Sequence, residues 1–508
     1  MKKINQLKAG IILSYVNLLI ATIIPFLYTP IMLRILGQEE YGLYSLSNSV
    51  IGYLSLLTLG MGSAISRYYI QQMAKNDREM MEKTAGLFVA IYGVISLVTL
   101  IIGFGITFFS RSFFAKGLTI SEIDKLNTLL CIMTVSTSIS LVTAPFSTVV
   151  ACHEEHVFLK LVGICGTILT PVLYLVALYA GYASVGMAVC GALIQLGSSV
   201  ATTLFCLFKV RIRPRFRNLP WGILKEIIGF SVFVFIGMIA DMLYWATDKI
   251  LIGAIIGSAA VGIYNVGVTF NSILQQISSA ISSIFAPRIS RMVFSNATMD
   301  EMSDMLIRLG RIQYLIVSLT VSGFAVFGRD FLTLWSGEGY EEAYSIALLT
   351  MIPMIVPLIM NVAFNVIVAQ NRHQFRSIVY VTLAVCNAFG TYLLIPYMGI
   401  VGAALCTFIV FLLGHGIIIN WFYYTKIKLD IPRFWKNILK MSTVPVGMSL
   451  VFLLAQSFDM FHFSRPLPFL LGVMVYTAVF CLLSWLFTMN RYEKDLILVL
   501  FRKILPRK

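Results

Sequence analysis

Fourteen apolar segments follow one another along this chain, each near the length of about 20 residues that a helix needs to cross a bilayer. They run 9–33, 41–66, 84–110, 126–150, 157–180, 184–208, 227–256, 261–286, 312–332, 343–369, 377–396, 400–424, 438–457 and 467–488. The thirteenth is interrupted by Pro445 and Gly447 close together, which makes the last pair the least regular. The first is far longer than the apolar core of a signal peptide and lacks a small-residue cleavage pattern behind it, so it is expected to be a retained span. The pattern predicts an all-α polytopic membrane protein with 14 transmembrane helices.

Two segments break the apolar rule. In the seventh, Asp241, Tyr244 and Asp248 fall at i, i+3 and i+7 and so share a helix face with Gly237, with Lys249 beside them. A charge near the bilayer centre costs roughly 2.5–3.5 kcal/mol on insertion scales, so this face is expected to turn from lipid toward a protein-lined or watered cavity. There Asp248 and Lys249 would form a pair or a proton or ion site. A purely structural pair holding the segment to its neighbour is the alternative. The eighth segment carries Asn271, Gln275, Ser278 and Ser282 at helical spacing and ends in APRISR, with Arg288 at its mouth.

The pattern also repeats. ILGQEEYGLY at residues 35–44 matches IIGSAAVGIY at residues 255–264, aligning Gly37, Gly42 and Tyr44 with Gly257, Gly262 and Tyr264. RSFF at Arg111 returns as RDFL at Arg329, ACHEEH at Ala151 corresponds to AQNRHQ at Ala369, and Gly181 corresponds to Gly399. The near-constant shift predicts that spans 1–6 and 7–12 are copies. Because six is even, the copies enter the membrane in the same direction, as two six-helix lobes related by a pseudo-two-fold axis along the membrane normal. The expected division is residues 1–217 (first lobe and linker), 218–427 (second lobe) and 428–508 (two further helices and a tail).

Composition and charge narrow the class. Of 508 residues 58% are hydrophobic and only 12% charged, against about a quarter charged in soluble domains. The net charge of +15 does not indicate nucleic acid, because the basic residues alternate between loops. With the N-terminus inside, 31 of the 38 Lys and Arg residues fall on the cytoplasmic side, Lys249 lies in a span, and the outside holds Arg34, Arg111, Lys116, Lys125, Arg329 and Arg465. This asymmetry predicts a multi-pass protein of the cell membrane with both termini cytoplasmic, Lys75, Arg213, Arg372 and Lys436 inside, and Lys116 and Glu341 outside. The polybasic stretch Lys209 to Arg217 is then a cytoplasmic linker suited to anionic headgroups of membrane lipids.

Catalytic chemistry is hard to find. The eight cysteines lie in or beside apolar segments without paired spacing, and the five histidines form no metal motif, so no metal or cofactor is expected. Gly60 and Gly62 lie inside span 2, where they suit a bend or close packing and not a phosphate loop. No loop is long enough for a soluble catalytic domain. With no nucleotide site, any driving force must come from an ion or substrate gradient, and the chain is expected not to be an enzyme.

The repeat, the two additional helices and the stretches ILGQEEYGLY, DKILIGAIIGSAAVGIYNV and YLLIPYMGIVGAAL resemble the multidrug/oligosaccharidyl-lipid/polysaccharide exporter superfamily, and within it the Wzx-type oligosaccharide flippases. That resemblance implies a V-shaped bundle with a cavity opening alternately to either side. It implies as cargo a polyprenyl-diphosphate-linked glycan bound for a surface polysaccharide, and a glycan polymerase as a possible partner. Lipid II flippases of the superfamily place arginines of spans 2 and 8 on the cargo diphosphate. The matching positions are Arg67 and Arg288, which are repeat mates; positive-inside anchoring is the other role open to them. A cation-coupled multidrug exporter of the related MATE type is the alternative. Many of these carry a carboxylate in span 1, where this chain offers only Ser14, Asn17, Thr22, Tyr28 and Thr29.

Overall fold

The computed structural model describes residues 3–295, 297–370, 374–457 and 465–504. Arg372 and part of the stretch corresponding to ACHEEH lie outside them. Every regular element among the described residues is helical: α1 (Lys3–Leu54), α2 (Gly62–Ala74), α3 (Arg78–Phe114), α4 (Ile120–Cys152), α5 (His156–Tyr179), α6 (Ala183–Phe205), α7 (Leu224–Trp245), α8 (Thr247–Ile255), α9 (Ser258–Phe294), α10 (Met299–Ser336), α11 (Glu342–Ile359), α12 (Asn361–Ala369), α13 (Gln374–Phe411), α14 (Ile419–Phe422), α15 (Ile431–Ser457), α16 (Pro466–Leu483) and α17 (Arg491–Ile504).

Ten helical stretches among the described residues are long and apolar enough to cross a membrane. Two of them each take in parts or all of two apolar segments read from the sequence: Leu19–Thr58 covers most of the first and most of the second, and Gln374–Ile427 the eleventh and twelfth. The chain is thus a multi-pass membrane protein. Pro445 does not interrupt α15.

Glycines punctuate these helices where the repeat placed them. Gly37 (φ +72) and Gly399 (φ +58) interrupt α1 and α13, and their repeat mates Gly257 (φ +137) and Gly181 (φ +83) also take positive φ. Only glycine adopts this region without a Cβ clash. Further breaks fall inside predicted spans. Leu59 and Gly60 separate α1 from α2, Ala246 separates α7 from α8, and Met360 separates α11 from α12 after Pro353 and Pro357. Each proline removes a backbone donor from its helix.

The chain forms two compact units, Met1–Asn265 and Val266–Lys508. The division falls inside α9 and not at the linker where the sequence repeat would divide the chain. In the first unit α3 runs along α4, α5 packs on α1 and α6, and α8 lies against α1 and α3. In the second, α10 is the hub, packing on α11, α15 and α16. Val326 and Phe327 of α10 bury themselves against Val444, Met448, Tyr476 and Phe480 of the two last spans. These last spans are therefore fastened to the second unit by an apolar seam.

Candidate functional site

The repeated turn builds a close crossing within the first unit. A Cβ on Gly42 would stand 1.7 Å from the Ser258 carbonyl oxygen, and one on Gly262 would stand 2.5 Å from that of Gln38. The two helices touch backbone to backbone, which small residues alone permit. Polar contacts flank the crossing: Asn265 Nδ2 donates to Tyr41 Oη at 2.6 Å, and Ser258 Oγ donates to the Glu122 carboxylate.

One helix further on, the acidic face of the seventh segment divides. The regular helical face expected through Asp241, Tyr244 and Asp248 is interrupted at Ala246, where α7 stops and α8 starts. Asp241 is exposed, while Tyr244 and Asp248 are buried. Asp248 accepts a hydrogen bond from Tyr264 Oη at 2.7 Å. Lys249 is half-buried. Tyr53 closes the break from α1, donating to the Met242 carbonyl at 3.2 Å and sharing a hydrogen bond with Thr247. Beside it an open apolar groove of about 500 Å³ is lined by Val50, Tyr53, Phe109, Phe113 and Ile250.

In the second unit the polar stripe of α9 serves a different break. Ser278 Oγ donates to the Leu358 carbonyl at 3.1 Å and accepts from Asn361 Nδ2 at 2.9 Å, so it bridges the end of α11 and the start of α12. Gln313 Nε2 of α10 donates to Ser282 Oγ at 2.6 Å. Gln313 and Asn361 were not singled out in the sequence; Pro357 was the available sign that span 10 breaks and that its freed polar groups need partners. Gln275 is half-buried. Asn271 is 1% exposed, and neither amide atom has a hydrogen-bond partner among the described residues. A buried polar group left so costs about 1–3 kcal/mol.

Arg67 and Arg288 are both exposed, Arg67 on α2 in the first unit and Arg288 on α9 in the second, directly after Pro287. Next to Arg67, Tyr68 Oη donates to Glu226 in the first turn of α7 at 2.7 Å. No cluster of His, Cys, Asp or Glu among the described residues could hold a metal ion.

Comparison decides the family: the model of the polysaccharide biosynthesis protein family matches residues 7–293. The chain belongs to that family. Its curated relatives include the uncharacterized membrane protein EpsK of Bacillus subtilis (strain 168), 22% identical over 367 residues and 71% of each chain. The teichuronic acid biosynthesis protein TuaB of the same bacterium is 22% identical over 269 residues, 51% of this chain and 53% of TuaB. Among solved structures, this family member shares its fold with the lipid II flippase MurJ in an inward closed conformation, at TM-score 0.74 and 12% identity over 96% of this chain and 99% of the other. An inward-facing multidrug resistance MATE transporter follows at TM-score 0.65 and 15% identity over 86% and 99%. The family match and the shared fold agree with the resemblance read from the sequence stretches.

Proposed function

We propose that the protein is a flippase that moves polyprenyl-diphosphate-linked oligosaccharide across the cytoplasmic membrane by alternating access. Fourteen spans would form two six-helix lobes (residues 1–217 and 218–427) and an appended pair (428–508), with both termini cytoplasmic. The observation that carries the reading is the family match over residues 7–293. Physical chemistry supports it: a diphosphate cannot be solvated by hydrocarbon, so the route needs fixed cations or oriented donors. Arg67 and Arg288, one in each copy, supply planar guanidinium forks for phosphate oxygens. Asn271 and Gln275 would meet the cargo from α9, and Asp241, Tyr244, Asp248 and Lys249 would take part in ion coupling. The unpartnered amide of Asn271 is consistent with such a role. A glycan polymerase would receive the flipped unit.

The MATE-like fold keeps a cation-coupled drug exporter as the second reading. Against it stand the missing carboxylate in span 1 and arginines where a cationic drug would need acidic partners. A deletion strain separates the two: the flippase reading requires lipid-linked oligosaccharide to accumulate on the cytoplasmic leaflet. Normal surface glycan together with drug sensitivity would establish the exporter.

A further inference from the structure

The polybasic stretch after α6 is not a loose tether. Ile212 is buried with Tyr69, Ala85, Val149, Val150 and Cys206. Arg215 is tied down although its side chain stays exposed: its Nε lies 2.7 Å from Glu82 Oε2, and its backbone N–H donates to the Glu82 carbonyl at 3.0 Å. Arg78 grips the same segment from α3, donating from Nη2 to the Arg211 carbonyl at 2.8 Å while its Nε contacts Glu82 at 3.4 Å. The approach is so close that a Cβ on Gly86 would stand 2.0 Å from the Arg215 carbonyl oxygen. The backbone is thus fixed at residues 211, 212 and 215.

Fixing those residues determines what faces outward. Arg211, Arg213 and Arg217 are exposed, and so are two large aromatic residues, Phe216 at 61% and Trp221 at 55%. Of the carboxylates on neighbouring helices, Glu82 pairs with Arg78 and Arg215 and Glu79 with Lys83, while Glu226 accepts from Tyr68 and keeps its charge. Residues 211–221 hold four arginines and no acidic residue, and the strip begins where the apolar stretch Ala183–Val210 ends and stops three residues before α7. A strip that directly follows an apolar stretch of spanning length is expected at the boundary between lipid tails and water, where aromatic rings and arginines are favoured together.

We propose that residues 211–221 form a preformed seat for the headgroup of an anionic phospholipid, with Arg211, Arg213 and Arg217 on the headgroup and Phe216 and Trp221 in the interfacial layer. The leaflet it serves rests on the orientation given under the proposed function; the binding itself does not. The test is native mass spectrometry of the purified full-length protein titrated with phosphatidylglycerol or phosphatidylcholine. Wild type is expected to hold phosphatidylglycerol preferentially, and R211Q/R213Q/R217Q, which leaves Arg215 and Glu82 in place, to bind it about tenfold or more weakly with phosphatidylcholine unchanged. R211K/R213K/R217K is expected to retain the preference, because the attraction depends on charge. Should the glutamine variant fail to fold, wild type alone decides: raising salt from about 0.05 to 0.5 M should remove the preference for phosphatidylglycerol. Equal retention of both lipids by wild type, unchanged binding by a folded glutamine variant, a preference insensitive to salt, or displacement by equimolar pyrophosphate would each overturn the proposal. None of these readouts involves transport, so the flippase reading and this one fail separately.

Discussion

Gly42 and Gly262 hold the same place in two copies of one turn, and in the folded protein each lies against the backbone beside the other. A methyl group fits at neither position without moving a helix. Gly42→Ala and Gly262→Ala should each lower stability by about 1–3 kcal/mol, read as a drop in melting temperature of the detergent-solubilised protein. Gly93→Ala, where nothing lies within 4 Å of an added Cβ, should be nearly silent. Equal melting temperatures for all three would show that the crossing is not tight.

The same crossing offers a test of movement. Ser258 and Glu122 touch through their side chains, so Glu122→Cys/Ser258→Cys, in a background without the eight native cysteines, should form a disulfide under mild oxidation. If alternating access parts this seam, the oxidised pair loses transport and a reducing agent restores it. Transport by the fully oxidised pair would mean that the seam stays closed throughout the cycle.

Arg311 and Glu493 form a bidentate ion pair, at 2.5 and 2.9 Å, with both side chains at most 5% exposed. Arg311 also donates to the Thr488 carbonyl at 2.8 Å, and Glu493 accepts the Asn490 N–H at 2.9 Å, so the pair holds the start of α17 against α10. Removing one partner leaves a buried charge, a change that typically costs 3–5 kcal/mol. Glu493→Ala should therefore sharply reduce folded protein in fluorescence-detected size exclusion, and Arg311→Met/Glu493→Leu should recover most of it.

His153 shares a hydrogen bond with Tyr69 Oη at 2.9 Å, and burial lowers its pKa below the ordinary histidine value, opposed by nearby Glu155. A base whose folded pKa is lowered favours the folded state above its unfolded pKa of about 6.5, and that contribution is lost as pH falls further. Between about pH 7.5 and 5 the wild type should lose more melting temperature than His153→Gln. Parallel pH profiles would show that His153 does not carry the effect.

Much of the fold was legible because lipid leaves few alternatives: a polar backbone in hydrocarbon must be helical, and Gly37, Gly181, Gly257 and Gly399 repeat where the backbone takes a positive φ. Breaks within spans were harder to see. Nothing local to Ala246 shows that Asp241 and Asp248 end in different surroundings. Pro357 signals a break near Met360, but that Ser278 of α9 repairs it depends on tertiary packing. The Arg311–Glu493 pair joins residues 182 positions apart, beyond any local pattern. The linker was legible in charge alone; that Arg215 is ion-paired and its backbone pinned follows from Glu82 and Gly86 on a different helix.

The most direct test of the flippase reading measures flipping of a fluorescent polyprenyl-diphosphate oligosaccharide in proteoliposomes containing wild type, Arg67→Ala, Arg288→Ala, Arg67→Lys or Arg288→Lys at equal abundance. The wild type should flip it, each alanine variant should be inactive, and each lysine variant should be partly active because a point charge replaces a fork that binds two phosphate oxygens. Full activity of the lysine variants would reduce these arginines to orientation anchors, and a wild type that moves no lipid-linked glycan would contradict the account.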